Sequence, residues 1–280
     1  MEPLLQVRDL TIRYRSAGPA EGRAVEGVSL DVARGEVVGV MGESGSGTSS
    51  IALALLGLLS KDCAEVSGSA VFRGEDLLSM NERLLQRVRG AGISMVYQEP
   101  GMALSPVMRA GMQIAEVIHA HREMSWKEAT SEALTLLARV GLPSTDRIFS
   151  AYPHQLSGGQ LQRVALAQGL ACGPALLIAD EPTASLDARS QSEFVSLLRE
   201  LNQSSQISLL LISHTPEIQA SLADRILVMK DGRIVDQGSF DRLYSHPSHP
   251  CTSALLRRNR SAIGHENPQS ENAAHEQFTP

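Results

Sequence analysis

The sequence predicts an α/β fold in which helices pack on a sheet with a parallel core. Three observations carry that prediction. From residue 158 onward, helical and strand-like stretches alternate: a helix from 158, "ALLIAD", a helix from 188, "ISLLLISH", a short helix, then "RILVMKDG" and "RIVDQG". Alternation of this kind is what helices laid against a largely parallel sheet produce. Earlier, "GEVVGVMG" at 35–42 is nearly continuous in apolar residues, as a strand buried on both faces is. That strand runs directly into a glycine-rich loop, and the loop into "SSIALALLGLL", which has helical character.

The remaining elements follow in order. "LLQVRDLTIRY" and "AVEGVSLDV" alternate apolar and polar residues between Gly and Pro punctuation, so with 35–42 they make three strands. Residues 66–97 read as a strand ("VSGSAVFRG"), a polar helix around 80–89 and a buried strand ("ISMVYQ"). Residues 107–155 read as helices, because "AGMQIAEVIHAHR" and "WKEATSEALTLLARVGL" space apolar residues by three and four. The stretch after 257, rich in Asn, Glu, Ser and His, reads as a disordered tail. There is no internal repeat.

Composition excludes several classes. Hydrophobic residues make up 42% of the 280 and charged residues 20%, enough for a sizeable core. A net charge of −6 without a basic stripe weighs against nucleic-acid binding, which needs clustered Lys and Arg to neutralise phosphates. The longest apolar run, "IALALLGLL", is far shorter than the roughly 20 residues that cross a bilayer. The start has neither a basic leader nor an apolar signal core, so the chain is expected to stay where it is made. Cys63, Cys172 and Cys251 are odd in number and far apart, which fits a reducing compartment, with no disulfide framework or metal cluster expected.

Three stretches carry chemistry. The first is "GESGSGTSS", Gly42 to Ser50. Gly42, Gly45 and Gly47 allow a tight turn, so that successive N–H groups of a loop that also holds Glu43, Ser44, Ser46 and Ser50 can face one anion. The loop opens into a helix N-terminus, which also favours phosphate. Ser49 is placed to offer its hydroxyl to magnesium, as the phosphate-loop pattern G-x-x-x-x-G-K-[ST] requires, but that pattern has lysine where this chain has Thr48. An ordinary Gly-Ser turn is the plainer reading of the loop alone. The second stretch, "LLIADEP", ends an apolar strand in Asp180 and Glu181, placing a possible magnesium ligand beside a possible base for water. The third, "QLSGGQLQRVALAQGL", puts Ser157, Gly158, Gly159 and Gln160 at a helix start with little side-chain obstruction. A lone acidic strand end or a Ser-Gly cap would be unremarkable; the combination is less so.

"LSGGQ" followed by "LQRVALA" resembles the signature of ATP-binding cassette (ABC) ATPases, and the other elements fall in that family's order. The resemblance covers residues 4 to about 257. It implies a P-loop NTPase fold of the ABC type, with a mixed sheet core, an antiparallel β subdomain and a helical signature subdomain at about 107–155, all within a domain of 1–257. The cofactors implied are ATP and magnesium. Tyr14 resembles the aromatic residue on which adenine stacks, and Gln98 the glutamine that senses magnesium and water. Asp187 resembles the loop aspartate near the dimer crossing, and His214 the switch histidine facing the γ-phosphate. Taken singly, each of these is more often a packing or surface residue. In the family, two such domains face head to tail. Tyr14, the P-loop, Gln98, Asp180, Glu181 and His214 then serve one site, while Ser157, Gly158 and Gly159 complete the partner's.

A finer similarity, in "QEPGMALSP" and "HPSHPCTSALL", is to ATPases importing oligopeptides, dipeptides or nickel; the second stretch departs from that branch's His-Pro-Tyr-Thr pattern. The implied partners are integral membrane permease subunits, a second ATP-binding subunit and a solute-binding protein, with no nucleic acid. The implied location is peripheral, at the cytoplasmic face of the inner membrane. Met102, Leu104, Val107 and Met108 are expected to meet a permease helix. Thr48 lacks the charge of a P-loop lysine, a loss of about 1.5–3 kcal/mol or roughly 10- to 150-fold in affinity. Two rival readings are a non-hydrolysing ATP-binding module that completes a partner's site, and a soluble ABC ATPase acting on DNA or ribosomes.

Overall fold

The structure, a computed structural model, describes residues 2–15 and 22–257. The expected tail at 258–280 lies outside the described residues. In chain order, the first elements are β1 (Leu5–Tyr14), β2 (Gly22–Val32), β3 (Val37–Gly42), α1 (Thr48–Leu55), β4 (Ala64–Phe72) and β5 (Glu75–Asp76). Next come α2 (Glu82–Val88), β6 (Ile93–Val96), α3 (Pro100–Ala103), α4 (Ala110–His121), α5 (Trp126–Arg139) and α6 (Thr145–Ser150). The chain continues through α7 (Gly158–Leu170), β7 (Leu176–Asp180), α8 (Ala188–Ser205), β8 (Ser208–Ile212) and α9 (Pro216–Leu222). β9 (Arg225–Lys230), β10 (Arg233–Gly238), α10 (Phe240–Ser245) and α11 (Pro250–Arg257) complete it.

The strands form two sheets. One is antiparallel in the order β2-β1-β4-β5; the other runs β10-β9-β3-β8-β7-β6 and is parallel except for its β9–β10 edge. Side chains of successive strand residues point to opposite faces, and both faces of this second sheet are covered. Val38, Val40, Ile178, Leu210 and Ile212 pack toward α1 and the antiparallel sheet, whereas Leu177, Ala179, Leu209 and Leu211 pack toward α7 and α8. Double coverage is why β3, β7 and β8 read as unbroken apolar runs. The expected α/β class is found: a mixed core sheet, an antiparallel sheet, and a layer of helices α4–α6 packed on α7.

Two expectations are corrected. "ISMVYQ" is not a buried strand throughout: β6 stops at Val96, and Tyr97 is 38% exposed. Among the described residues β6 pairs with one strand, β7, and forms the sheet's edge; on its other flank Ile93 alone bridges, to Arg89, so the end at Tyr97 lacks a neighbour that would bury it. The helix expected through Leu59 stops at Leu55. Gly57 there has φ +60°, its N–H donates to Ala54 O at 2.9 Å and that of Leu58 to Leu53 O at 2.9 Å. That paired closure, with glycine in the left-handed position, terminates a helix.

The parallel register fixes where chemistry can gather. Val40 of β3 and Asp180 of β7 both pair with Ile212 of β8. The glycine loop, the Asp180–Glu181 pair and the Ser213–His214 turn therefore leave the sheet at one edge, the carboxyl ends of parallel strands where open α/β sheets bind ligands.

Candidate functional site

The loop after β3 is built by backbone geometry. Gly45 and Gly47 have φ of +85° and +94°, a region that side chains disfavour. At Gly47 a Cβ would also lie 2.0 Å from Ala24 O. At Gly42 the constraint is close approach: a Cβ there would sit 2.3 Å from Ser46 Oγ. Ser46 is 3% exposed, its N–H donates to Glu43 O at 3.0 Å, and its hydroxyl has no partner among the described residues. Gly47 caps α1 without a side-chain bond, and the half-buried Thr48 is the helix's first residue. The free N–H groups of the first turn thus face out of the loop.

Asp180 ends β7 and is 8% exposed. Burial pushes its carboxyl above the ordinary value, a hydrogen bond from Ser49 works against that, and the Glu181 charge adds to it. Its Oδ1 has no partner among the described residues. A buried, unsatisfied carboxylate oxygen beside a serine hydroxyl is a hard-oxygen donor set that fits magnesium.

Glu181 adopts φ +44°, rare for a non-glycine residue. Its N–H donates to Ile212 O at 2.9 Å. Its Oε1 accepts from the His214 backbone N–H at 2.8 Å and lies 2.6 Å from His214 Nδ1, while Ser213 Oγ donates to Oε2 at 3.3 Å. The His214 side chain is 63% exposed, so it is no core histidine. With Nδ1 engaged, Nε2 is the ring nitrogen left for a ligand.

These groups share one cavity of about 400 Å³, lined by Gly42, Glu43, Ser44, Gly45, Thr48, Ser49, Gln98, Asp180, Glu181 and His214, with Pro216 and Leu255. Among the described residues no Lys or Arg lines it. Ser46, Gly47 and Ser50, also expected in the site, do not line it. Tyr14 does not line this cavity; its hydroxyl meets Ser50 Oγ at 3.1 Å, beside the first turn of α1. Pro216 and Leu255 were missed by sequence reasoning. Pro216 is two residues from His214, but nothing local marks Leu255.

The signature residues lie elsewhere. Ser157 caps α7 in a capping box: Ser157 Oγ accepts from the Gln160 N–H at 3.3 Å and Gln160 Oε1 from the Ser157 N–H at 3.0 Å. Gly158 and Gly159 precede the first intrahelical bond, from Leu161 N–H to Ser157 O, so their N–H groups are free. A Cβ on Gly158 would lie 3.9 Å from Ser185 O, and on Gly159 3.7 Å from Ser190 Oγ. Asp187 belongs to the same face. It caps α8, and the Ser190 backbone and hydroxyl bonds hold its carboxyl below the usual range. A second site surface thus gathers Ser157–Gln160 and Asp187, apart from the cavity.

Of the expected permease contacts, Leu104 is corrected. It is 2% exposed and packs in the main core. Val107 is 80% exposed and Met108 half-buried. The Met102 side chain lies outside the described residues. A separate groove, lined in part by Met95, Val96, Tyr97, Ala103 and Val117, meets the first cavity at Gln98 and Asp180.

Comparison with known proteins agrees with this geometry. Residues 25–184 match the family described as ABC transporter. A probable peptide ABC transporter ATP-binding protein of Sinorhizobium fredii is 41% identical over 254 residues, covering 90% of this chain and 76% of the relative. The dipeptide transport ATP-binding protein DppD of Bacillus subtilis is 38% identical, covering 91% of this chain and 76% of the relative. A peptidoglycan transport ATP-binding protein of Agrobacterium fabrum is 43% identical over 91% of this chain, which spans only 47% of that relative's length. Among solved structures, the ATP-binding cassette MJ0796, a dimer in a post-hydrolysis state with ADP and phosphate, superimposes with a TM-score of 0.76 at 27% identity. That match covers 84% of this chain and 98% of that one. With the loop, the carboxylate pair and the signature helix in place, the chain belongs to the ABC transporter family as an ATP-binding domain.

Proposed function

We propose that this chain is the ATP-binding subunit of an importer for peptides or related small solutes, attached peripherally to separate permease subunits and paired with a second ATP-binding subunit. The observation that carries the ATP reading is the single cavity joining the glycine loop, the unsatisfied Asp180 Oδ1 and the Glu181–His214 pair. The named relatives support the solute class. Among the described residues no helix is long and apolar enough to cross a membrane, in keeping with permease subunits on other chains. The groove at Tyr97 and Ala103 offers a place for them. A solute-binding protein would deliver the cargo.

In this reading the loop N–H groups hold the β- and γ-phosphates, and Tyr14 stacks on adenine from beside α1. Ser49 and Asp180 would hold magnesium, which when bound would supply positive charge against the phosphates. Gln98 orients water at the mouth. Glu181, fixed by the His214 N–H and the Ser213 hydroxyl, accepts the water's proton as the γ-phosphate is attacked. His214, with Nδ1 donating to Glu181, donates through Nε2 to the phosphoryl oxygens in its doubly protonated, imidazolium form. Ser157, Gly158 and Gly159 cover the partner's nucleotide with free N–H groups, with Asp187 beside the crossing. Domain limits of 1–257 and a helical subdomain of about 107–155 belong to the same reading.

Thr48 divides catalysis between the two sites. Glu43, Asp180 and Glu181 line a cavity without a Lys or Arg among the described residues, so metal is the main source of positive charge here. That favours a slow site in this chain and a second role, completing the partner's site. Calorimetric titration with ATP, with magnesium and with EDTA, tests the reading. Magnesium-dependent binding is expected; absence of binding in wild type and in Thr48→Lys alike would overturn it.

A further inference from the structure

Residues 240–257 contain none of the expected nucleotide motifs, yet they touch the nucleotide cavity. Asp236 on β10 is the anchor. Its side chain, 2% exposed, is ion-paired with Arg242 of α10, accepts the Ser248 N–H at 2.7 Å, and accepts the Thr252 hydroxyl of α11 at 3.1 Å. Burial pushes this carboxyl up, but these bonds outweigh it and hold it below the ordinary range. One buried carboxylate thereby ties a strand, both short helices and the turn between them. Leu255 and Leu256 of α11 then pack with Met41, Ile226, Val228 and Leu243. Met41 is fully buried and immediately precedes Gly42. Leu255 also reaches the cavity wall beside His214 and Pro216.

We propose that residues 240–257 form a clasp, latched by Asp236, in which Leu255 is a positioning residue for the glycine loop and the His214 turn. The clasp rests on the nucleotide-site reading above. Its logic is packing. Met41 anchors β3 one residue before its end at Gly42, where the loop begins, and Pro216 opens the helix that follows the His214 turn. A side chain that packs in the Met41 cluster and also lines the cavity with His214 and Pro216 holds the loop's N–H groups and His214 at a fixed separation, and keeps water from that wall. Asp236 acts through it, since the carboxylate touches no cavity group but fixes the helix that carries Leu255.

The test uses the full chain with Leu255→Ala, Leu255→Met and Asp236→Asn. The first readout is hydrogen exchange in nucleotide-free protein. Leu255→Ala and Asp236→Asn should speed exchange at 41–47 and 213–215 and leave 157–170 unchanged; Leu255→Met should resemble wild type. The second readout is calorimetric affinity for magnesium-ATP, expected to fall by about fivefold to tenfold, equivalent to about 1–1.4 kcal/mol, in the same two variants. Unchanged exchange in the two loops, or faster exchange spread over the whole chain, would overturn the clasp. Faster loop exchange with unaltered affinity would equally overturn its link to nucleotide. Wild type and Thr48→Lys that both ignore ATP would sink the functional reading instead, and exchange would still decide the clasp. Should Leu255→Ala fail to fold, Asp236→Asn carries the same two readouts.

Discussion

The glycine loop at 42–50 and the signature helix start at 157–160 are both anion-ready backbone surfaces, but they are built differently. The loop is a cradle whose shape depends on glycine conformations and one buried serine, with a side-chain charge missing from its rim at Thr48. The signature is complete within itself: its capping box satisfies Ser157 and Gln160, leaving the glycine N–H groups unobstructed. Shape and charge are therefore separable. The loop retains a phosphate-binding form without lysine because none of its turn geometry rests on that side chain. What the substitution removes is electrostatic, and the signature surface does not share the loss.

The largest expected effect tests the intact end. Ser157→Arg in a complex whose partner has a normal phosphate loop should abolish most turnover, by placing a bulky cation where the partner's nucleotide closes. Loss of the cap itself costs only about 0.5–2 kcal/mol, so folding should survive. Unimpaired turnover in the reconstituted complex would erase the contrast between the two ends. Next comes Thr48→Lys, expected to tighten magnesium-ATP binding roughly 10- to 150-fold. Equal calorimetric affinities would mean the charge is supplied elsewhere.

Tyr14→Ala should weaken ATP and ADP alike by about 1–3 kcal/mol if the ring carries adenine. Tyr14→Phe, which loses only the Ser50 bond, should lie within about 0.5–1.5 kcal/mol of wild type. Equal losses for the two variants would assign Tyr14 to structure alone. Glu181→Gln should change turnover of the complex less still, because in the proposed reading Glu181 serves only the site that Thr48 weakens. A large loss would show that site to be active.

The smallest effect is on stability. Asp180 has its carboxyl raised by burial, so protonation is easier in the folded chain than in the unfolded one. Its stabilising contribution is full below the unfolded value, about 3.9, and is lost as pH rises through the raised folded value. Above that raised value the ionised carboxylate is therefore a burden on the metal-free protein. Asp180→Asn should raise the melting temperature at pH 7 in EDTA and abolish stabilisation by magnesium-ATP. Identical melting in EDTA would show that burial at this position is relieved by water.

The sequence by itself determined the fold class, the glycine loop, the paired carboxylates and the helix start at Ser157. All are local: an apolar run covered on both faces, glycines at fixed spacing, and a Ser-x-x-Gln cap each act within a few residues. Family order then pointed to Tyr14, Gln98, Asp187 and His214, none legible alone. Only tertiary structure decided that β6 is an edge and that Leu104 is core. It alone brought Leu255 beside His214, 41 positions earlier in the chain. The physical reason is that register across β3, β8 and β7, and the Asp236 latch across β10 and α11, join residues through pairing and packing partners that no single stretch contains.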